Sequence, residues 1–223
     1  MSKVTQNARR LNLLEEKLLG DWIVTIPGFT LEKYRKLQRS RLSIFSVNCI
    51  GGFLLNTLGL PFRSPFVNLF LSNGDFMKFL RAPHNYLEKS LVDDGRCMES
   101  VSKFPMAKLG DITLRMMHYK TFEESVVAWE KRKPRINWYN LLVLMWSINP
   151  KELEQFDALP YGKKICFVPF KSDLDSAWYI EHRLKEKYPL YVHYVNETAQ
   201  GKPFFYDPFD MLLYCKKTPL IEM

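Results

Sequence analysis

The chain has 223 residues, 47% hydrophobic and 25% charged, a balance that lets one domain bury its own core without disulfide or metal staples. Lys and Arg number 32 against 24 Asp and Glu, a net charge of +8, which favours an anionic partner, whether phosphate, nucleic acid, an acidic polysaccharide or a membrane surface, without choosing among them. No low-complexity tract and no apolar run near ~18 residues interrupts the sequence, which excludes a linker-divided chain and a membrane-spanning helix.

The first two dozen residues are charged throughout and lack the apolar core of a secretory signal. Cys49, Cys97, Cys166 and Cys215 show no CxxC or Cys/His ligand spacing, so reduced thiols, a cytoplasmic location and no metal are expected. The cations are spread over many segments, with no RNP-type signature or Cys/His finger, so nucleic acid is not an expected partner.

Residues 7–41 read as interrupted helix. Leu11, Leu14, Leu18 and Trp22 keep helical spacing, Pro27-Gly28 breaks it, and "TLEKYRKLQRSR" resumes with a basic face, which reads first as a packing helix with a solvated connector and second as an amphipathic segment resting on anionic lipid at the inner side of a membrane. Residues 1–40 are therefore expected to form a basic helical segment, and residues 41–223 a single α/β domain.

"RLSIFSVNC" is the best strand candidate, and "FLLNTLG" reads as a helix closed by Gly59. "SPFVNLFLS" fits a strand or a buried turn. "SNGDFMKFLRAPHNYLEKSL" is an amphipathic helix broken near Pro83. "FPMAKLGDITLRMMHY" holds a turn at Gly110 and an alternating strand, and Thr121 with Glu124 forms a capping box for "TFEESVVAWEKRK".

"INWYNLLVLMW" predicts a buried strand, "NPKELEQFDALP" a helix, "KKICFVPF" a strand, "LDSAWYIEHRLKEKY" a helix, "LYVHYVNE" a strand, and "PFDMLLYC" a closing helix or strand. The alternation predicts an α/β fold with a mainly parallel or mixed central sheet flanked by helices. Ligands in such sheets bind at the carboxyl ends of the strands, where the Asn48–Gly52 strand-turn-helix is expected.

That turn allows two readings. Cys49 is either a small buried hydrophobe beside a glycine turn, or a thiolate held over the open amides of a helix N-terminus. In the second reading Gly51 and Gly52 supply an oxyanion hole. His118, at the end of its predicted strand, is the candidate general base. Asp111 lies at the other end of that strand and is expected to hold a turn. His84 and His182 read as incidental and His193 as structural. Arg132, Lys133, Arg135, Asn137 and Asn140 form a second cluster, either a phosphate and sugar site or a solvated helix end. Trp129 and Trp138 read as core.

"FSVNCIGGFLLNTLGLPFRSPFVNLF", "DFMKFLRAPHNYLEK", "KLGDITLRMMHY" and "EESVVAWEKRKPRINWYNLLV" follow one another as in a bacterial family of unknown function. The chain resembles the family numbered nineteen-nineteen among domains of unknown function, whose members are often described as exopolysaccharide biosynthesis proteins. The resemblance covers about residues 41–170. It carries the family's N-C-x-G-G onto Asn48, Cys49, Gly51 and Gly52, its G-D-I and H-Y onto Gly110, Asp111, His118 and Tyr119, and its W-x-x-R-x-x-R-I-N onto Trp129, Arg132, Arg135 and Asn137. It implies a cytoplasmic protein of surface-polysaccharide assembly and states no reaction.

Two functions are consistent with these features. One is a transferase, acyltransferase-like, acting on a sugar or glycan acceptor through Cys49 and His118. No bound cofactor is expected, and coenzyme A thioester or nucleotide-sugar would be the phosphate-bearing donor on Asn48, Arg132, Arg135, Asn137 and Asn140. Glycosyl transfer is its nearest competitor, though no DxD-type pair sits at a strand end. The other is a non-catalytic assembly protein that binds an anionic glycan.

Overall fold

Apolar runs too short for helices build the centre of the molecule. The computed structural model describes residues 23–98, 104–180 and 205–220. Four strands, β1 (Ser43–Ser46), β5 (Leu141–Trp146), β6 (Lys164–Val168) and β7 (Ala177–Tyr179), pair in that order, all parallel. Phe45 lies opposite Val143, Leu144 opposite Ile165, and Phe167 opposite Trp178. A second, antiparallel sheet is the meander β2 (Val92–Met98), β3 (Phe104–Leu109) and β4 (Ile112–Arg115). The fold is α/β, with a parallel main sheet and seven helices among the described residues.

The parallel sheet is apolar on both faces because helices cover both. Ile44, Leu142, Leu144, Ile165, Phe167 and Trp178 meet α1 (Leu31–Arg39), α2 (Ile50–Thr57) and α7 (Pro208–Tyr214). Phe45, Val47, Val143, Met145, Cys166 and Val168 meet α3 (Asn73–Arg81), α4 (Pro83–Leu87), α5 (Phe122–Arg132), α6 (Pro150–Asp157) and the meander. Helix α2 after β1 and helix α6 after β5 thus fall on opposite faces, while the strand order β1-β5-β6-β7 runs one way across the sheet.

Helix α1 joins the same core through Tyr34 and Leu37. The Lys33 ammonium lies 2.9 Å from the Asp207 carboxylate and 2.6 Å from that of Asp210, tying α1 to the start of α7. Asp207 also caps α7 by accepting from the amides of Phe209 and Asp210.

Between α2 and α3 the chain is a buried irregular segment, neither helix nor ordinary strand, whose end stitches the two sheets together. Leu71 N donates to Val47 O at 2.9 Å, and Phe70 exchanges two backbone hydrogen bonds with Arg115 of β4.

Several sequence expectations change. "LDSAWYI" is not helical: Ala177–Tyr179 is an edge strand on β6, because Trp178 and Ile180 are worth more in the apolar core than on a solvated helix face. The rest of that predicted helix and the strand over "LYVHYVNE" lie outside the described residues, as do residues 1–22, His182 and His193. "INWYN" is a 3-10 turn, and β5 starts only at Leu141. β4 stops at Arg115, so His118 sits in the following turn. The Thr121 cap forms at 3.2 Å, but the Glu124 carboxylate reaches back to the Lys120 amide rather than to Thr121.

Candidate functional site

Asn48 and Cys49 stand at the carboxyl end of β1, where the sequence places them, but the corner is closed. Asn48 Oδ1 accepts from the Ile50 amide at 3.0 Å. Ser46 Oγ accepts from the Gly51 amide at 3.3 Å and donates to Asn48 O at 2.5 Å. The first two amides of α2 are therefore committed to the turn itself, and Gly51 offers no oxyanion hole. A side chain at Gly51 would put its Cβ 2.8 Å from Ile44 Cγ2 and 2.8 Å from Ser46 Oγ. The glycine answers to helix-strand packing, not to a substrate. Gly52 is buried too, with Val67 Cγ1 at 3.2 Å from the place of its missing Cβ.

Cys49 itself is 3% exposed, and its thiol faces Leu69 O at 3.8 Å. Burial pushes the thiol up to about 12, the opposite of what a nucleophile near neutrality needs. No cation among the described residues acts on it to reverse that, so in this arrangement Cys49 is a packing residue.

The residues expected to serve Cys49 do gather nearby. His118 is exposed, its ring 6.1 Å from that of Phe53, one turn along α2 from Cys49, and its amide donates to Asn68 O at 3.4 Å. Tyr119 donates to Val67 O at 3.1 Å and accepts from Arg132 Nη1 at 2.6 Å. Burial, with a small contribution from the Cys49 sulfur, raises the Tyr119 phenol. Arg132 also lies 5.4 Å over the Phe62 ring. Its fork is engaged by protein groups, and Arg135 is exposed at a separate turn.

Asn137 and Asn140 face elsewhere. Asn137 Nδ2 donates to Arg41 O at 3.1 Å and Asn140 Nδ2 to Ser40 O at 2.9 Å, both at the amino ends of the strands. The expected arginine-asparagine cluster therefore does not converge on one site: Arg132 turns to Tyr119 and Phe62, and the two asparagine amides turn to the Ser40 and Arg41 carbonyls. Asp111 holds a turn, accepting from Tyr86 at 2.7 Å and Lys78 at 2.9 Å. Trp129 is core, whereas Trp138 is partly exposed and stacks on His84 with centroids 4.3 Å apart.

Asn140 leads to a cleft that sequence reading does not assemble. A cavity of about 720 Å³ opens at the amino ends of β5 and β6, lined by Glu32, Arg35, Lys36, Arg39, Ser40, Asn140, Lys163 and Leu213. This lies within the ~300–1,000 Å³ range of ligand sites. Three of its cations come from one stretch of α1, at i, i+1 and i+4, a spacing that puts the outer two on one helix face. The fourth, Lys163, immediately precedes β6. Its Nζ donates to Asn140 Oδ1 at 2.8 Å and Leu213 O at 3.2 Å. Burial holds Lys163 below the ordinary lysine range, opposed by Cys215 and aided least by the Lys36 ammonium. Tyr214 marks the rim: its ring carries the Lys36 ammonium at 4.7 Å, and its hydroxyl accepts from it at 3.3 Å.

The cleft escapes sequence reading because its lining comes from residues 32–40, 140, 163 and 213. The signal available in sequence is the basic face of "LEKYRKLQR", which reads as a solvated connector or a membrane-facing stretch. Among the described residues no group of three His, Cys, Asp or Glu side chains is placed to hold a metal ion, and no helix is long and apolar enough to cross a membrane.

The sequence matches the family described as "Domain of unknown function (DUF1919)" over residues 23–216. A Haemophilus influenzae protein described as an uncharacterized protein is similar to the chain, 34% identical over 152 residues, which cover 66% of this chain and 71% of the relative. Neither description states a reaction.

Proposed function

From the premise that the chain belongs to the DUF1919 family, we propose that it binds the anionic group of a sugar or glycan in the cleft at the amino ends of the sheet, as a binding component of surface-polysaccharide assembly. The observation that carries this reading is the convergence of Arg35, Lys36, Arg39 and Lys163 on one cavity of ligand size, with Glu32 the opposing charge in its lining. Cations gathered in a concave site raise the local concentration of anions and hold them. The setting in polysaccharide assembly rests on the sequence resemblance. A cytoplasmic location is supported by the free thiols of Cys49, Cys166 and Cys215.

A phosphate-bearing donor, expected on Arg132 and Arg135, fits the cleft better, because several cations line it, whereas Arg132 turns to Tyr119 and Phe62 and Arg135 stands at a separate turn. Acyl transfer through Cys49 draws no support from a sealed thiol with a raised pKa.

The test is calorimetric titration of the full chain with glucose 1-phosphate, wild type against the double variant Lys36→Gln/Arg39→Gln. Both side chains are exposed, so the fold should survive. Binding that weakens at least about tenfold in the variant, and falls with added salt, supports the reading. An affinity equal in the two proteins refutes it.

A further inference from the structure

The composition of the cleft also says which anion it takes, a narrowing that rests on the proposed function. Four cations and one carboxylate line the cavity; leaving out Arg35, which has a partner of its own, the surplus is about two positive charges at neutral pH. A carboxylate carries one negative charge and would leave half of that surplus facing itself. A phosphate monoester or pyrophosphate carries about two or more and neutralises it.

Burial holds Lys163 below the ordinary lysine range, Cys215 acts against it, and repulsion from the Lys36 ammonium adds the smallest part. A multiply charged anion between the two ammonium groups turns that repulsion into two attractions.

The polar side chains of the lining are occupied in building it. Asn140 donates to Ser40 O and accepts from Lys163, and Ser40 Oγ donates to Leu37 O at 2.7 Å. Each therefore has only part of its donor and acceptor capacity left for a sugar hydroxyl. Lys163 has three N–H donors, and two are committed to Asn140 Oδ1 and Leu213 O. The third is left for a ligand, and the other two fix where its ammonium stands.

We infer that the cleft is a phosphate site, selecting phosphate monoesters and pyrophosphates over sugar carboxylates by charge, with Lys163 as the positioned contact and little discrimination among the sugars attached.

The experiment is a calorimetric titration of the full chain with inorganic pyrophosphate, glucose 1-phosphate, galactose 1-phosphate and glucuronate, at low and high salt, repeated with Lys163→Met and Lys163→Arg. Pyrophosphate should bind, the two sugar phosphates should agree within about threefold, and glucuronate should be at least about tenfold weaker. Lys163→Met should lower pyrophosphate affinity at least about tenfold, with partial recovery in Lys163→Arg. Should Lys163→Met fail to fold, Lys36→Gln carries the same expectation from an exposed position. Glucuronate binding as tightly as pyrophosphate overturns the phosphate assignment and leaves the anion-binding function standing. Sugar phosphates differing tenfold or more overturn the claim of sugar tolerance. Binding by none of the four overturns both this inference and the proposed function, and unchanged pyrophosphate affinity in the variants removes the cleft as the site.

Discussion

Alkylation of Cys49 separates a packing thiol from a reactive one by a wide margin. Burial moves the thiol from 9.0 to about 12. At pH 8 a thiol titrating at 9.0 is about one-tenth thiolate, and one titrating near 12 about one part in ten thousand, so modification through the thiolate slows about a thousandfold. Access adds to this, since 3% exposure leaves no approach without local opening. The assay is a timed pulse of iodoacetamide on the native chain and on the chain in urea, with each cysteine peptide quantified by mass spectrometry. Half-buried Cys215 should label before Cys49 and fully buried Cys166, which react only as fast as the fold opens. Native Cys49 reacting at the rate of a free peptide thiol, and slowing in His118→Ala, would refute this reasoning and restore the Cys-His pair.

Gly51→Ala should destabilise by up to about 2 kcal/mol in urea melts, because an overpacking cost of ~1–3 kcal/mol against Ile44 and Ser46 outweighs the ~1 kcal/mol helix-propensity gain; a stabilised variant would contradict the close packing. Lys33→Met leaves two largely buried carboxylates unpaired, and thermal melts should show a loss of about 2–4 kcal/mol. Lys33, through its hydrogen bond, holds the Asp210 carboxyl below its ordinary 3.8. That stabilisation is complete above the unfolded value and disappears as pH falls through the folded one, a dependence the variant should lack. For Lys163, whose folded pKa is lowered, the ammonium penalises the fold below that pKa and the penalty lifts as pH rises through it toward the unfolded value. Pyrophosphate beside the ammonium opposes that shift, so proton uptake on binding in mildly alkaline buffer should be greater for the wild type than for Lys163→Met, measured by calorimetry in buffers of different ionisation enthalpy.

The parallel sheet is legible in sequence where the chain has to be apolar on both sides. "LLVLMW" and "ICFV" admit little besides covered strands, and Gly59, with φ 61°, closes α2 as its position after an apolar run implies. β7 is hidden because Ala177–Tyr179 runs into charged residues whose spacing reads as helix. β2 is hidden because "VDDGRCM" is acidic, contains Gly95 at φ 67°, and pairs irregularly with β3. The Cys49 corner misleads for a different reason. A glycine placed for close helix-strand packing and one placed to admit a substrate leave the same letter in the sequence, and only the position of Ile44 and Ser46 decides between them. The cleft is illegible because no single segment holds more than three of its four cations, and the fold alone brings Lys163 beside α1.

The junction at residues 69–71 sets how this molecule tolerates changes in length. Leu69 and Leu71 are buried while Phe70 between them is only half so, and Leu71 alone bonds back to β1 as Phe70 pairs with β4. Residues may be added in the exposed turn around Pro61 at modest entropic cost. A single insertion at 69–71 would exchange odd and even positions, turning Leu71 to water and Ser72 inward. Natural length variation should therefore be common on one side of Ser64 and absent on the other.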